Sequence, residues 1–405
     1  MITKSIKKDF PILSRKVGKK QLVYLDNSAT TQSPKVVIDS LTDFYTNHRA
    51  NVHRGIHMLS EESTVMYEQS RKTIAHFFGV TPSEMVFVRN TTEASNLVAF
   101  TFLQTLKKGS TVMISEFEHH SNLIPWQIAC KQLKLNFKTA PVNSEGELDL
   151  NFIKNSDFSF IAINHISNFL GNINPVHKII EIAKEKKAYV YIDGAQAVAR
   201  VPLNFKKLDC DFYSFSGHKI YGPFGIGGLY VKKQILESMP PFMTGGGMIV
   251  DVGIKKSSFL KDSEGYDAGT PNVGGSIALA SALDYVTQVG IKEIAKHEHA
   301  VLTYMYESLL KVSGVEIYGT KKVSNRAGLV SFNLKGVHSH DLASILDGEG
   351  IAIRSGTHCV IPMHKKLNIS SSARASLALY NFKEDVDVLI EGVKKSKKIL
   401  GGYNV

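Results

Sequence analysis

The chain reads as an α/β protein, with a large domain built on a mainly parallel sheet and a smaller α+β domain. Three observations predict this. Between about residues 22 and 280, short apolar runs alternate with helix-length amphipathic segments. The runs are nearly continuous, as expected of strands covered on both faces. After about Ser276 the texture changes to long helical stretches and a few late strands, and 405 residues exceed what one core normally encloses.

The strands expected in the first part are Met85–Arg89, Thr111–Ser115, Ser159–Asn164, Ala188–Ile192, Phe212–Phe215 and Gly227–Val231. Between them, apolar residues at helical spacing mark Glu93–Leu106, Leu123–Leu133 and Pro175–Lys186. The second part predicts helices over Ile277–Gly290 and Ile291–Val312, strands near Gly328–Leu334 and Gly350–Arg354, and a closing helix over Lys383–Leu400. The expected division is a large domain over 22–280 and a small one from 1–21 plus 281–405. In open α/β sheets the ligand lies at the carboxyl ends of the strands, and the polar motifs of this chain fall there.

Composition excludes several classes. There are 48 Lys and Arg against 37 Asp and Glu, a net charge of +11, but much of the excess sits at the two ends of the chain. No basic run is interleaved with aromatics, so a solvated surface is expected and no nucleic-acid partner. Three cysteines without a CxxC spacing indicate neither a disulfide framework nor zinc, and no metal is expected. The start MITKSIKKDFPILSRK lacks an apolar signal region, and no stretch approaches the length of a membrane helix. A cytoplasmic protein with no membrane partner is the expectation.

Six motifs carry candidate chemistry. In YVYIDGAQA, Asp193 ends a strand, with Gln196 three residues on; alone, Asp193 reads first as a loop cap. In FYSFSGHKIYGPFGIGGLYV, Ser216, His218 and Lys219 occupy a small polar turn between buried strands. A lone lysine is nearly always solvated, but burial makes an amine nucleophilic and fit for imine formation with an aldehyde. In FVRNTTEASN, a strand leads into a capping box with Asn90 as cap and Glu93 at the third helical position. Free N–H groups there, with the hydroxyls of Thr91 and Thr92, suit a phosphate as well as simple capping. No Walker loop or GxGxxG is present.

In EFEHHSN, His119 follows a strand and can serve as ligand, base or a ring stacked on a flat heteroaromatic. In IRSGTHCVIPM, Cys359 follows a strand and a glycine turn, with His358 and Arg354 as close neighbours that, if charged, lower a thiol's pKa. Cys130, in an amphipathic helix, and Cys210, in an apolar context, both read as packing. In SSSARASLALYN, Arg374 can bind a carboxylate through its planar fork or form a surface ion pair. Together these residues supply an amine, an acid, a phosphate cradle, a stacking ring, a carboxylate clamp and a thiol.

ISEFEHHSNLIPWQ, YIDGAQA, DCDFYSFSGHKIYGP, AGTPN, IRSGTHC and ARASLALYN, with NVHRGIH near the front, resemble the group II (SUF-system type) cysteine desulfurases over nearly the whole chain. These are pyridoxal-phosphate enzymes of the aminotransferase class V family and fold type I. The resemblance implies a seven-stranded large-domain sheet and pyridoxal 5'-phosphate carried on Lys219 as an imine. It further implies that Asp193 pairs with the ring nitrogen, Gln196 with the ring oxygen, and that His119 stacks on the ring. Thr92, Ser216 and His218 then hold the phosphate, with Thr270 reaching across from the second subunit of a homodimer. Asn168, Arg374 and Arg354 line the substrate-carboxylate site, and His53 lies near the entrance.

The implied reaction converts L-cysteine to L-alanine, leaving the sulfur on Cys359 as a persulfide for a SUF-type acceptor in iron–sulfur cluster assembly. Thr357 stands where the family commonly has a second His, and Val360 where it has Ala, which leaves thiol activation and choice of acceptor open. A selenocysteine lyase on the same fold is the alternative, with L-selenocysteine as substrate. An aminotransferase leaves the thiol without a task, and a non-enzymatic basic scaffold leaves the whole constellation without one.

Overall fold

The computed structural model describes residues 2–53 and 55–400; Arg54 of the NVHRGIH motif and positions 401–405 of the expected small domain lie outside the described residues. Seven strands form the central sheet: β1 (Met85–Val88), β2 (Thr111–Ser115), β3 (Asn136–Ala140), β4 (Phe160–Asn164), β5 (Tyr189–Asp193), β6 (Phe212–Ser216) and β7 (Gly227–Val231). Their spatial order is β1-β7-β6-β5-β4-β2-β3. The pairings that join β2 through β6 are parallel, and β7 runs antiparallel to both β1 and β6.

Apolar runs mark six of these strands in the sequence. The seventh, β3, reads NFKTA and is largely accessible, because an edge strand needs no continuous apolar run. In the middle strands alternate residues enter two cores. Met113, Ile161, Ile163, Ile192 and Phe215 face α5 (Val176–Glu185) on one side. Val112, Ile114, Ala162, Tyr191 and Phe212 face α3 (Thr91–Thr101) and α4 (Ile124–Leu133) on the other. The helix expected over Glu93–Leu106 ends at Thr101 and continues as a 3-10 turn, Leu103–Thr105.

Two helices near the front, α1 (Lys35–Asp43) and α2 (Met58–Phe77), pack on α6 (Val273–Val289). The start of α6 lies four residues ahead of the expected Ile277. Asn272 caps it by accepting from the Gly275 N–H at 3.0 Å, and the Gly-Gly pair that follows hides the helical signal. Next comes α7 (Ile291–Leu310), and then a four-stranded antiparallel sheet. Its strands are β8 (Val315–Tyr318), β9 (Leu329–Leu334), β10 (Arg354–Gly356) and β11 (Ser372–Ser376), ordered β8-β9-β11-β10. Three helices complete this part: α8 (Ser339–Gly348), α9 (Ile361–Lys366) and α10 (Lys383–Leu400). The single strand expected at Gly350–Arg354 is divided. Ile351–Ala352 pairs in parallel with Val23–Tyr24, whereas Arg354 begins β10.

Two buried features join these parts. Phe10 sits edge-on to Tyr380 with ring centroids 4.6 Å apart, so the N-terminal segment packs onto the loop after β11. Arg326 is buried and bonds three carbonyls: Thr320 O at 2.6 Å, Tyr318 O at 2.6 Å and Leu170 O at 3.1 Å. The last belongs to the loop after β4, so one guanidinium ties the two sheets together. Arg326→Met leaves those carbonyls unpaired and should lower stability by about 3 kcal/mol, read as a lower urea midpoint with an unchanged denaturant slope.

Candidate active site

The pocket opens at the carboxyl ends of β4, β5 and β6, where Asn164, Asp193 and Ser216 end their strands. Gly194 follows Asp193, and a Cβ there would collide with the Tyr213 ring, so the chain can turn against β6 only as glycine. Asp193 is buried and accepts from the Ala195 N–H at 2.9 Å. Burial raises its pKa, opposed by that hydrogen bond and by Lys219. Lys219 closes a 3-10 turn just beyond β6. Burial pushes its ammonium down to about 8; Asp193 opposes the shift, and Arg374, Arg200 and Arg354 reinforce it. This is the buried amine that imine chemistry requires.

The start of α3 forms one end of the pocket. Asn90 Oδ1 accepts from the Glu93 N–H at 3.1 Å, as a capping residue should. The return bond of the expected box goes elsewhere: the Glu93 carboxylate accepts from the N–H of Arg89 rather than from that of Asn90. Thr91 meets Ser216 Oγ with both its N–H and its hydroxyl at 3.0 Å. Thr92, Ser216 and His218 line this end together. The His218 ring stacks on Phe224 at 5.4 Å, and its buried Nδ1 has no hydrogen-bond partner among the described residues.

His119 lies across the pocket from β5. Its Nδ1 accepts from the Ser121 N–H at 3.1 Å, so Nε2 carries the hydrogen. Burial pushes it down to about 3, with Lys219 and His120 adding, so the ring is a neutral, stackable imidazole. Beneath it the buried Glu118 carboxylate collects Ser115 Oγ, Asn122 Nδ2 at 2.7 Å, and both the N–H and the side-chain amide of Asn164. One carboxylate thus fixes the ends of β2 and β4 and the turn that holds His119.

Arg374 lies in β11, directly opposite Arg354 of β10. It is buried, its Nη1 donates to Asn168 O at 2.7 Å, and its Nη2 donates to Asp26 Oδ1 at 3.0 Å. Burial lowers its pKa to about 10 against the pull of Asp26, and its Nε has no hydrogen-bond partner among the described residues. Cys359 lies on the loop between β10 and α9 and lines the same pocket as Lys219. His358 and Cys359 have φ of 50° and 59°, left-handed conformations that cost a non-glycine residue about 1–2 kcal/mol each. Two bonds hold the strained pair: Asn168 Nδ2 to His358 O at 2.7 Å and the His120 N–H to Cys359 O at 2.9 Å.

His358 departs from the sequence expectation. It is buried with Nε2 against the Ser372 carbonyl at 3.1 Å, and burial drives its pKa far down. It is therefore a neutral packing residue and supplies no charge to the thiol. Asn168, Gln196 and Arg354 also line the pocket. His53 and Thr270 do not; they share a separate depression with Asn51, Glu264 and Asp267. Sequence reading missed Ser28, Ser121 and Asn164 as lining residues. Only Ser121 and Asn164 had a signal, their places in EFEHHSN and at the end of β4. Among the described residues no cluster of His, Cys, Asp and Glu could hold a metal ion.

An amine in a low-dielectric floor beside a buried carboxylate, an open helix start and a flat neutral ring define a site for an anionic heteroaromatic aldehyde. The unpartnered His218 Nδ1 and Arg374 Nε are polar atoms that bound anions would satisfy, so the residues fit pyridoxal phosphate and a carboxylate substrate. The class is that of the pyridoxal-phosphate-dependent enzymes. The aminotransferase class-V family matches residues 23–389, and the chain belongs to it. A probable cysteine desulfurase of Halobacterium salinarum is 42% identical over 401 residues, covering 98% of this chain and 96% of that one. The cysteine desulfurase of Escherichia coli O8 is 42% identical over 402 residues, 98% of each chain. The apo cysteine desulfurase of Thermococcus onnurineus superposes with a TM-score of 0.94 at 38% identity, covering 99% of both chains.

One histidine of the frame is testable without any ligand. His165 is buried beside Asp193: its N–H donates to Asp193 O at 2.8 Å and its Nδ1 contacts Tyr213 Oη at 2.9 Å. Burial pushes it down to about 4 from the usual 6.5. A depressed pKa favours the folded state above 6.5 and works against it as pH falls toward 4. Between pH 7 and 5, wild type should therefore lose up to about 2 kcal/mol relative to His165→Gln, measured by urea unfolding of both.

Proposed function

We propose that the protein is a cysteine desulfurase that converts L-cysteine to L-alanine and retains the sulfur on Cys359. The observation that carries this is the opening of Lys219 and Cys359 into one pocket, with the Arg374 fork between β11 and Asn168 beside them. Lys219, Asp193, Gln196 and His119 hold the pyridoxal ring, and Thr92, Ser216 and His218 hold its phosphate. Asn168, Arg354 and Arg374 take the substrate carboxylate. When bound, the cofactor supplies an electrophilic carbon for the amine and an electron sink.

The chain's own residues then act in sequence. Lys219 Nζ yields its place to the substrate amine and accepts the substrate α-proton. The Cys359 sulfur attacks the substrate sulfur; a sulfur–sulfur bond forms as the carbon–sulfur bond breaks. The bonding pair stays on the β-carbon, which takes up the proton given up by the Cys359 thiol; Lys219 returns its proton to the α-carbon to complete alanine, and Cys359 is left as a persulfide. The pinned loop holds the sulfur at the pocket, and its backbone strain favours a second position once those pins are released.

The product sulfur passes to a SUF-type acceptor for iron–sulfur cluster assembly in the cytoplasm. A selenocysteine lyase remains the second reading, since L-selenocysteine fits the same clamp. The enzyme is a homodimer, in which His53 and Thr270 of one copy complete the pocket of the other. Val36 on α1 and Val65 on α2 line one apolar depression with Met66 and Ile277, and Val65 is 67% exposed. An apolar face of this kind is covered by a second copy. Among the described residues no helix is long and apolar enough to cross a membrane.

Cys359→Ala and Lys219→Ala should each lower alanine release from L-cysteine by about 100-fold or more. Mass spectrometry should find the persulfide on Cys359 of the wild type alone. Alanine release at the wild-type rate from Cys359→Ala refutes the mechanism, and retained turnover of L-selenocysteine by that variant favours the lyase. For the assembly, Val36→Arg with Val65→Arg should shift sedimentation from dimer to monomer at micromolar concentration.

A further inference from the structure

We propose that Arg200 is a positioning residue that fixes the side-chain amide of Gln196 so that its NH2 group is presented to the cofactor pocket. The proposal rests on the reading of that pocket as a pyridoxal-phosphate site in which Gln196 meets the ring oxygen. Arg200 does not line the pocket. It lies behind it, buried, four residues after Gln196. Its Nη1 donates to Gln196 O at 2.9 Å and to Gln196 Oε1 at 3.2 Å. Its Nη2 donates to Leu377 O at 3.2 Å, just past β11.

These contacts allow one orientation of the amide. Arginine has donors only, so the Gln196 atom facing it must be the oxygen. On the other side Gln196 Nε2 donates to the Ser28 carbonyl at 2.8 Å, where only an N–H is tolerated. A flipped amide would set NH2 against guanidinium and oxygen against oxygen. The second hydrogen of Nε2 is left for the pocket. Glu298 of α7 anchors the guanidinium from behind, with Oε2 3.4 Å from Arg200 Nε and Oε1 3.5 Å from the Tyr221 hydroxyl. Arg200 therefore links a helix, the loop after β5 and the loop after β11 through one fork.

A rival explanation is a field effect, since Arg200 also bears on Lys219 together with Asp193, Arg374 and Arg354, while His119 and His218 face the same amine. A double-mutant cycle separates the two. The readout is the pH midpoint of the visible absorption change of the protein loaded with pyridoxal phosphate. Arg200→Met paired with Glu298→Gln removes the fork without stranding a buried charge. Losing a donor to an anionic ring oxygen favours protonation nearby, so the midpoint should rise by about 0.5 to 1 pH unit.

In a Gln196→Ala background the same pair of changes should leave the midpoint where it is. An equal rise in both backgrounds, or none in either, overturns the proposal. Arg200→Lys keeps the charge but cannot fork to both Gln196 oxygens and Leu377; a wild-type midpoint in that variant also overturns it. A wild-type protein that gains no visible band with pyridoxal phosphate refutes the cofactor reading itself, and it does so before any variant is made.

Discussion

The site depends on one buried guanidinium. Arg374 enters from the small antiparallel sheet, yet its two bonded nitrogens are claimed by Asn168 O, from the loop after β4, and by Asp26, from the N-terminal segment. A cation this deep is tolerated only when paired and hydrogen-bonded. Three distant stretches of chain must therefore meet for it to be satisfied. The same meeting brings Asn168 Nδ2 to the His358 carbonyl, which holds the loop of Cys359. Substrate clamp and thiol are thus set by one junction.

Around that junction, polar groups are buried in linked sets rather than alone. Glu118 collects donors from two strand ends and a turn, and Arg200 collects acceptors from two loops. Each set converts a desolvation cost into positional accuracy, because a buried network is stable only when its members are satisfied together. Burial also decides charge. It lowers the Lys219 ammonium and keeps His119 and His358 neutral, while the strand-end position of Asp193 brings a carboxylate within reach of the amine. The pocket holds more cationic than anionic side chains, as an anionic cofactor and a carboxylate substrate require.

Much of the frame could be read from the chain directly. Strands covered on both faces leave continuous apolar runs, which is why β1, β2, β4, β5, β6 and β7 were visible and the edge strand β3 was not. The strand-end rule placed Asp193, Ser216 and Lys219 at the pocket. Short strands of the second sheet escaped notice, since β11 reads SARAS and is buried through small residues rather than large apolar ones.

The sequence by itself determined the chemistry available: an amine, a carboxylate, a helix start, a ring and a thiol, each beside the turn signal that makes it local. Tertiary structure alone decided how those groups are charged and aimed. His358 looked like a cation for the thiol, and the fold made it a neutral packing ring against Ser372. Arg200 carried no local signal, and the fold set it behind Gln196. The physical reason is common to both. Desolvation and hydrogen-bond partnership depend on neighbours far away in the chain, and no window of sequence contains them.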